Sequence, residues 1–310
     1  MELHWVTTFL AIVDHQGFGR AAELLHCSQP TVSNHVAALE RTLGAPLLHR
    51  DRRPVELTQA GVAFLPHARA LIREMEAARE SVSDVLGLRR GIVTLGAYPS
   101  AMAAYVPGLL ESFGARYPGI AVRLVEARAS DLARVALSGR IELMLRPATP
   151  APEATFSGLP LWRERYKAVL HPSHPLAEHA GPLPLESLAD LELIMTGHGE
   201  LASPDHAVWR RLGRYPRLAY EVTQPQSLIE LVRHAHGVGV TNALSLGVAA
   251  TEGLVIRDID ADAARRDVWV WWLDGRAHSP AAQALVSCMR ASDRPVGAAR
   301  LESPARDQKS

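Results

Sequence analysis

The chain has 310 residues, room for about two domains, and its 47% apolar and 21% charged residues are the ordinary balance of a globular protein, which excludes wholesale disorder. Its 33 basic residues are matched by 33 acidic ones, so no global field draws it to DNA or to an anionic membrane, and any nucleic-acid footprint must be local. The two cysteines, Cys27 and Cys288, lie at opposite ends of the sequence, a spacing that speaks against a disulfide framework or thiolate metal site and fits a reducing compartment. The first residues lack the basic region and cleavage site of a signal peptide, and no apolar run approaches the ~20 residues of a membrane span. A cytoplasmic location without membrane contact is therefore expected.

Residues 1–60 predict three short helices and a hairpin. Ala21, Ala22, Leu24 and Leu25 give one helix an apolar face, with alanines small enough for a second helix to cross closely. His26 and Cys27 fill a turn. Ser28 is a good N-cap, and Pro30 suits a first turn, where its missing N–H would be unpaired anyway. Val32, Val36 and Leu39 then recur at helical spacing and face the core. Gln29, Pro30, Thr31, Ser33, Asn34 and His35 are left at the front of this second helix. Such short polar side chains reach base edges in a major groove: Gln29 and Asn34 suit bidentate pairing with adenine, and Thr31 and Ser33 suit base or phosphate. A solvated helix face is the alternative for any one of them, and the complete turn signature argues against it. Residues 47–58 follow as a hairpin wing, with Arg50, Arg52 and Arg53 at its tip, where guanidinium groups can track phosphates or enter a minor groove.

Between Thr58 and Leu88, apolar residues at Phe64/Leu65, Ala68, Leu71/Ile72, Met75, Ala78, Val82 and Val85/Leu86 predict one long amphipathic helix. Its apolar stripe either packs on its own domain or forms a seam with a second copy. From Gly91 onward strands and helices alternate. Strands are predicted at Ile92–Gly96, Ile120–Val125, Ile141–Leu145, Tyr166–Leu170, Leu191–Met195, Leu218–Val222, Val238–Thr241 and Val268–Leu273. Helices are predicted at Ala101–Arg116, Asp131–Ser138, Ser227–His236 and Ala281–Met289. The alternation predicts βαβ units and a mainly parallel sheet. Residues 293–310 are polar and aperiodic, and an unstructured tail is expected there.

Catalytic chemistry finds little support. Gly237-Val-Gly-Val-Thr-Asn242 begins like a dinucleotide fingerprint but has Asn242 where the third glycine belongs. His171, His174 and His179 lie in a proline-rich stretch with no shared helical face for a metal. Ser203-Pro-Asp-His206 holds triad residue types without a nucleophile elbow. No catalytic residue, metal or cofactor is expected. The competing class is a small-molecule-binding protein or enzyme whose helix-turn-helix only dimerises. Such a helix would expose apolar residues where this one is polar.

Phe9, Phe18, Ala21-Ala22, Leu24, Ser28-Gln29-Pro30, Ser33, Leu39-Glu40, Leu43-Gly44, Leu47, Arg50, Leu57-Thr58 and Gly61 stand at the spacing of one known family without gaps. On these residues the chain resembles the LysR-type transcriptional regulators, and the likeness extends more loosely to about residue 292. Two departures stand out: Gly19 occupies a position where the family often has a Ser or Thr N-cap, and Asn34-His35 stand where it often has Arg-Gln. The resemblance implies a fold of mixed class: an all-α winged helix-turn-helix (residues 1–60), a linker helix (58–90), and a two-lobed α/β effector domain like the periplasmic binding proteins (91–292). Lobe I would comprise 91–161 and 268–292, and lobe II 162–267, the chain crossing near Leu161-Trp162 and returning near Arg266-Asp267. It further implies antiparallel linker-helix dimers, homodimers or homotetramers on dyad-symmetric double-stranded promoter DNA, with RNA polymerase as a further partner.

An effector in such a domain sits beyond strand C-termini. Ser100 matches a position where the family often touches its effector. Tyr98, Arg128, Thr196, Thr223 and Thr241 are further candidates at strand ends. Arg146 reads either as a fork for a ligand carboxylate or as a structural ion pair, and His198 either as loop surface or as a ligand contact. If these residues converge, the effector is a small organic anion.

Overall fold

The computed structural model describes residues 1–49, 52, 54–85, 91–149, 151–152, 155–196, 209, 213, 216–260, 264–274, 279–299 and 301. Three helices open the chain, α1 (Leu3–His15), α2 (Phe18–Leu24) and α3 (Gln29–Leu43). Val6, Phe9, Ile12, Ala21, Val32, Val36 and Leu39 meet in one buried core, as the 3.6-residue period requires. α2 starts at Phe18 with Gly17 as its N-cap, so Gly19 lies inside the helix and is not the cap that its place in the motif suggested. α3 behaves as expected at both ends. The Ser28 hydroxyl accepts the Thr31 N–H at 3.2 Å, Pro30 sits in the first turn, and Gly44 closes the helix at φ +74°, a left-handed conformation that glycine adopts without strain.

The wing is a short antiparallel hairpin of β1 (Leu48–His49) and β2 (Glu56–Leu57), with Leu48 opposite Leu57. Glu40 of α3 fixes it: its Oε1 accepts the N–H groups of Leu47 at 2.8 Å and Leu48 at 3.3 Å. The chain then enters α4 (Gln59–Val85), opened by Thr58, whose hydroxyl accepts the Gly61 N–H at 3.0 Å and donates to Pro46 O at 2.7 Å. A Cβ at position 61 would lie 2.1 Å from Leu47 O, so only glycine lets α4 start this close to the wing. Phe64, Leu65, Ala68 and Ile72 of α4 join the core of α1–α3. The near half of the linker stripe thus packs on its own domain, while Leu71 and Val82 stay exposed.

The rest is α/β. In order come β3 (Gly91–Ala97), α5 (Pro99–Ala104), α6 (Val106–Arg116), β4 (Ile120–Glu126), α7 (Ala129–Leu137), β5 (Leu143–Pro147) and the long β6 (Phe156–Leu170). After a 3-10 turn at Pro175–Glu178 follow β7 (Leu183–Pro184), α8 (Leu185–Ala189), β8 (Glu192–Thr196), β9 (Arg217–Val222), α9 (Pro225–Arg233), β10 (Val238–Asn242) and α10 (Ala243–Gly247). β11 (Val255–Asp260), β12 (Arg265–Leu273), α11 (Pro280–Ala291) and β13 (Ala298–Ala299) complete the described elements. The expected helix 101–116 is two helices broken at Tyr105, because Pro107 has no N–H for a continuous ladder and its ring clashes with the preceding turn.

The strand path is β4-β3-β5-β12-β6-β10-β8-β9, with β11 and β13 also on β6. β3 pairs in parallel with β4 and β5, and β8 with β9 and β10. The expectation of a mainly parallel sheet holds for these outer strands. The central β6 and β12 run antiparallel to their neighbours, because they carry the chain between two lobes and back. Phe156–Arg165 of β6 pairs with β12, whereas Tyr166–Leu170 pairs with β10 and β11. The crossings therefore fall at Arg165–Tyr166 and at Ala264–Arg265, a few residues from the expected points; burial alternates from Trp162 to Ala168 without a break, so the period of the strand does not mark where the partner strand changes. Each lobe has its own core, one around Leu95, Phe113, Leu143, Val270 and Leu285, the other around Leu188, Leu193, Met195 and Val240. The expected tail over 293–310 is corrected for Ala298–Ala299, which pair with Glu164 and Arg163: the open edge of β6 supplies backbone partners that a polar sequence can still use. Residues 302–310 lie outside the described residues.

Candidate nucleic-acid interface and effector cleft

The front of α3 exposes Gln29, Pro30 and Asn34, with Thr31, Ser33 and His35 half-buried. Thr31 takes part in the cap, its Oγ1 lying 2.8 Å from Ser28 Oγ. His35 differs from its expected outward setting. Its ring turns toward α1, with Nδ1 3.0 Å from Thr8 Oγ1 and its centroid 4.6 Å from that of His4 in an edge-to-face contact. Burial, and then the neighbouring His4, hold its pKa below the ordinary value of 6.5. In the wing, Arg52 is exposed and bonded to Glu56, while Arg50 and Arg53 lie outside the described residues.

In lobe I the C-terminal ends of β3, β4 and β5 come side by side. Ser100 and Tyr98 follow β3, buried, and Arg146 ends β5 with 3% of its surface exposed. Burial lowers the Arg146 pKa to about 10, so the guanidinium keeps its charge at neutral pH. Arg128 is exposed instead, and its Nε donates to Asp131 at 2.7 Å on the first turn of α7. In lobe II the register sets Met195 of β8 beside Val240 of β10, and the next residue of each strand, Thr196 and Thr241, is buried. Thr223 is exposed, so neither it nor Arg128 joins the buried group. His198 lies outside the described residues. α5 of lobe I rests against α10 of lobe II, which places the Ser100 helix opposite the helix capped by Asn242, whose Oδ1 accepts the Ser245 N–H at 3.0 Å.

Where the chain crosses between lobes, the structure assembles a network that sequence reasoning missed. Glu164 is fully buried, and its Oε1 accepts from Tyr98 Oη at 3.0 Å and from Arg266 Nε at 2.8 Å. The Arg266 guanidinium lies over the Tyr98 ring at 5.0 Å and the Tyr166 ring at 5.7 Å, an arrangement that offsets the cost of two desolvated charges. Its one sequence signal was a carboxylate in the buried phase of a strand, between Trp162 and Tyr166.

Two of the three histidines in the proline-rich stretch bond within the loop, His174 Nδ1 accepting the Leu176 N–H at 3.2 Å and His171 Nδ1 lying 2.7 Å from Ser173 Oγ. Among the described residues no cluster of His, Cys, Asp or Glu is placed to hold a metal ion, and no helix is long and apolar enough to cross a membrane.

A capped helix with a polar front, a hairpin tied to it, a long linker helix and two α/β lobes joined by crossing strands make up the architecture expected of a DNA-binding regulator with a ligand-responsive domain. Comparison with known proteins gives the family. Residues 3–62 match the bacterial regulatory helix-turn-helix proteins of the lysR family, and residues 86–294 match the LysR substrate binding domain. The chain belongs to the LysR family of transcriptional regulators. The Hca operon transcriptional activator HcaR of Escherichia coli is 31% identical over 245 residues, 78% of this chain and 81% of that one. A probable hydrogen peroxide-inducible genes activator of Mycobacterium avium is 33% identical over 191 residues, 62% of this chain and 61% of that one. A single-site variant of full-length OxyR from Pseudomonas aeruginosa superposes with a TM-score of 0.76 at 22% identity, covering 94% of this chain and 99% of that one. Full-length CbnR complexed with its target DNA does so with a TM-score of 0.67 at 21% identity and the same coverage. The chain is thus a DNA-binding transcriptional regulator with an effector-binding domain.

Proposed function

We propose that this regulator reads a dyad-symmetric promoter site in the cytoplasm as a homodimer or homotetramer, and that its effector is a small organic anion held between the lobes. The observation that carries the DNA half is the capped α3 with Gln29, Pro30 and Asn34 exposed at its front, the part of a recognition helix that meets base edges. Thr31, Ser33, Arg50, Arg52 and Arg53 complete the proposed interface, with His35 behind them against α1. The exposed Leu71 and Val82 of α4 support a seam with a second copy, which sets two recognition helices about one helical turn of DNA apart or a multiple of it. RNA polymerase is the proposed further partner at the promoter, and the protein carries no reaction of its own.

The effector half rests on Arg146, a charged guanidinium buried at a strand C-terminus in the same lobe edge as Ser100; a carboxylate is its natural partner. Tyr98, Thr196 and Thr241 line the proposed site. A peroxide response like that named for some relatives has little support here. A thiol-based response would need an accessible, activated cysteine, and Cys288, the one cysteine of residues 91–292, is buried on α11.

Fluorescence anisotropy with DNA from upstream of the protein's own gene, titrated with salt and against scrambled DNA, tests the first half. Selective binding with a steep salt slope is expected, and Gln29→Ala or Ser33→Ala should lose selectivity more than total affinity. Binding no tighter than scrambled DNA, with nothing recovered by genome-wide selection of bound fragments, overturns it. Calorimetric titration of a panel of carboxylic acids tests the second half; undiminished affinity in Ser100→Ala and Arg146→Ala overturns it.

A further inference from the structure

Helix α7 ends against the linker helix. Ser138 is its C-cap and Gly139 follows at φ +77°. The last carbonyls of a helix lack intrahelical partners and carry the negative end of its dipole. Here two carbonyls just past that end receive guanidinium groups from α4. Arg69 Nη1 donates to Ser138 O at 2.8 Å, and Arg73 Nη1 donates to Gly139 O at 2.6 Å. Arg69 is only 8% exposed, and its second terminal nitrogen binds Asp14, near the end of α1. One buried cation therefore joins the winged helix, the linker and lobe I. Gly139 permits the approach: a Cβ there would lie 2.5 Å from Arg73 Nη1 and 2.8 Å from Arg69 Cβ.

The surroundings make these contacts stand out. A cleft of about 730 Å³ lies between α1, α4 and lobe I, lined by Asp14, Arg69, Arg73, Gly139 and Glu142 among others, so a polar clasp rather than continuous apolar packing spans the gap. The opposite end of α7 begins at the effector side: the Ala127 N–H bonds Ala97 O at 3.2 Å, next to Tyr98 and Ser100. A helix of this length spans ~13 Å, from the strand ends of lobe I to the arginines of α4.

We propose that Arg69 and Arg73 are positioning residues: by clasping the end of α7 they lock the winged helix to lobe I, so the orientation of α3 is set from the effector domain. The clasp is independent of which DNA or effector the protein takes; only its regulatory consequence rests on the function proposed above.

Spin labels at Thr42→Cys on α3 and Glu111→Cys on α6, in the full-length Cys27→Ser/Cys288→Ala chain diluted with unlabelled protein, read this orientation without DNA or effector. The parent should give one narrow distance. Arg73→Ala and Gly139→Ala should at least double the width of the distribution, with circular dichroism unchanged, and Arg73→Lys, which keeps a cationic donor for the carbonyl, should restore the narrow form. Equal, narrow distances in the parent, Arg73→Ala and Gly139→Ala overturn the proposal. Because Arg73→Ala removes a side chain without adding bulk, it keeps the test decisive if Gly139→Ala folds poorly. On DNA that the parent selects, Arg73→Ala should still protect each half-site in a footprint while losing the fixed separation between them.

Discussion

His35 lies on α3, the proposed recognition helix, yet its ring contacts Thr8 and His4 of α1. Its depressed pKa makes the winged helix acid-sensitive. Between that folded value and 6.5 the unfolded chain binds more protons than the folded one, so stability rises with pH across this window. The contribution is complete above 6.5 and is lost as pH falls through the folded pKa. Thermal unfolding should therefore show a lower midpoint at pH 5.5 than at pH 7.5, and His35→Gln should lose less on acidification than the parent; equal losses would remove His35 as the cause. The helical period of Val32, Val36 and Leu39 correctly turned the opposite face outward. It could not show that His35, at the border of that face, lies within reach of a neighbouring helix, because such a contact depends on how α1 crosses α3.

Single elements here depend on a few backbone-specific residues. Ser28 supplies the one side-chain acceptor found at the start of α3, and Ser28→Ala should cost about 1 kcal/mol in guanidinium unfolding. Gly61 carries more weight. An alanine there meets the Leu47 carbonyl at 2.1 Å, a backbone atom that cannot swing aside, so Gly61→Ala should cost about 1–3 kcal/mol and displace the wing from α4. Denaturation followed by circular dichroism checks the first effect, and loss of DNA affinity at unchanged linker helicity checks the second. Elements built on local rules were legible in advance: α1 to α3, the hairpin and α4 follow from period, caps and turn residues. The short β7, β11 and β13 were not, since two to six residues with little apolar pattern become strands only when an edge is offered to them.

Across the whole molecule, the two lobes share the buried Glu164–Arg266 pair at their crossing. Removing the carboxylate charge takes from Arg266, 8% exposed, its ion-pair partner in a desolvated site. Glu164→Gln should cost about 3–5 kcal/mol, and Tyr98→Phe, which removes one hydrogen bond to a charged group, about 1.5–3 kcal/mol. Chemical unfolding of the full chain measures both. A loss below that of Tyr98→Phe for Glu164→Gln would mean that Arg266 finds another anion. The pair sits where β6 and β12 carry the chain between the lobes.

The amino-acid sequence by itself determined the winged helix-turn-helix, the linker helix, the α/β character of the remainder and the family, because each rests on spacing within one segment of chain. Only the tertiary structure decided where β6 changes sheets, which strand-end residues are buried, that Arg128 is bonded to Asp131, and that Arg69 and Arg73 reach the end of α7. Those are meetings between residues far apart in sequence. Their geometry is set by the packing of whole elements, and no local period or motif encodes it.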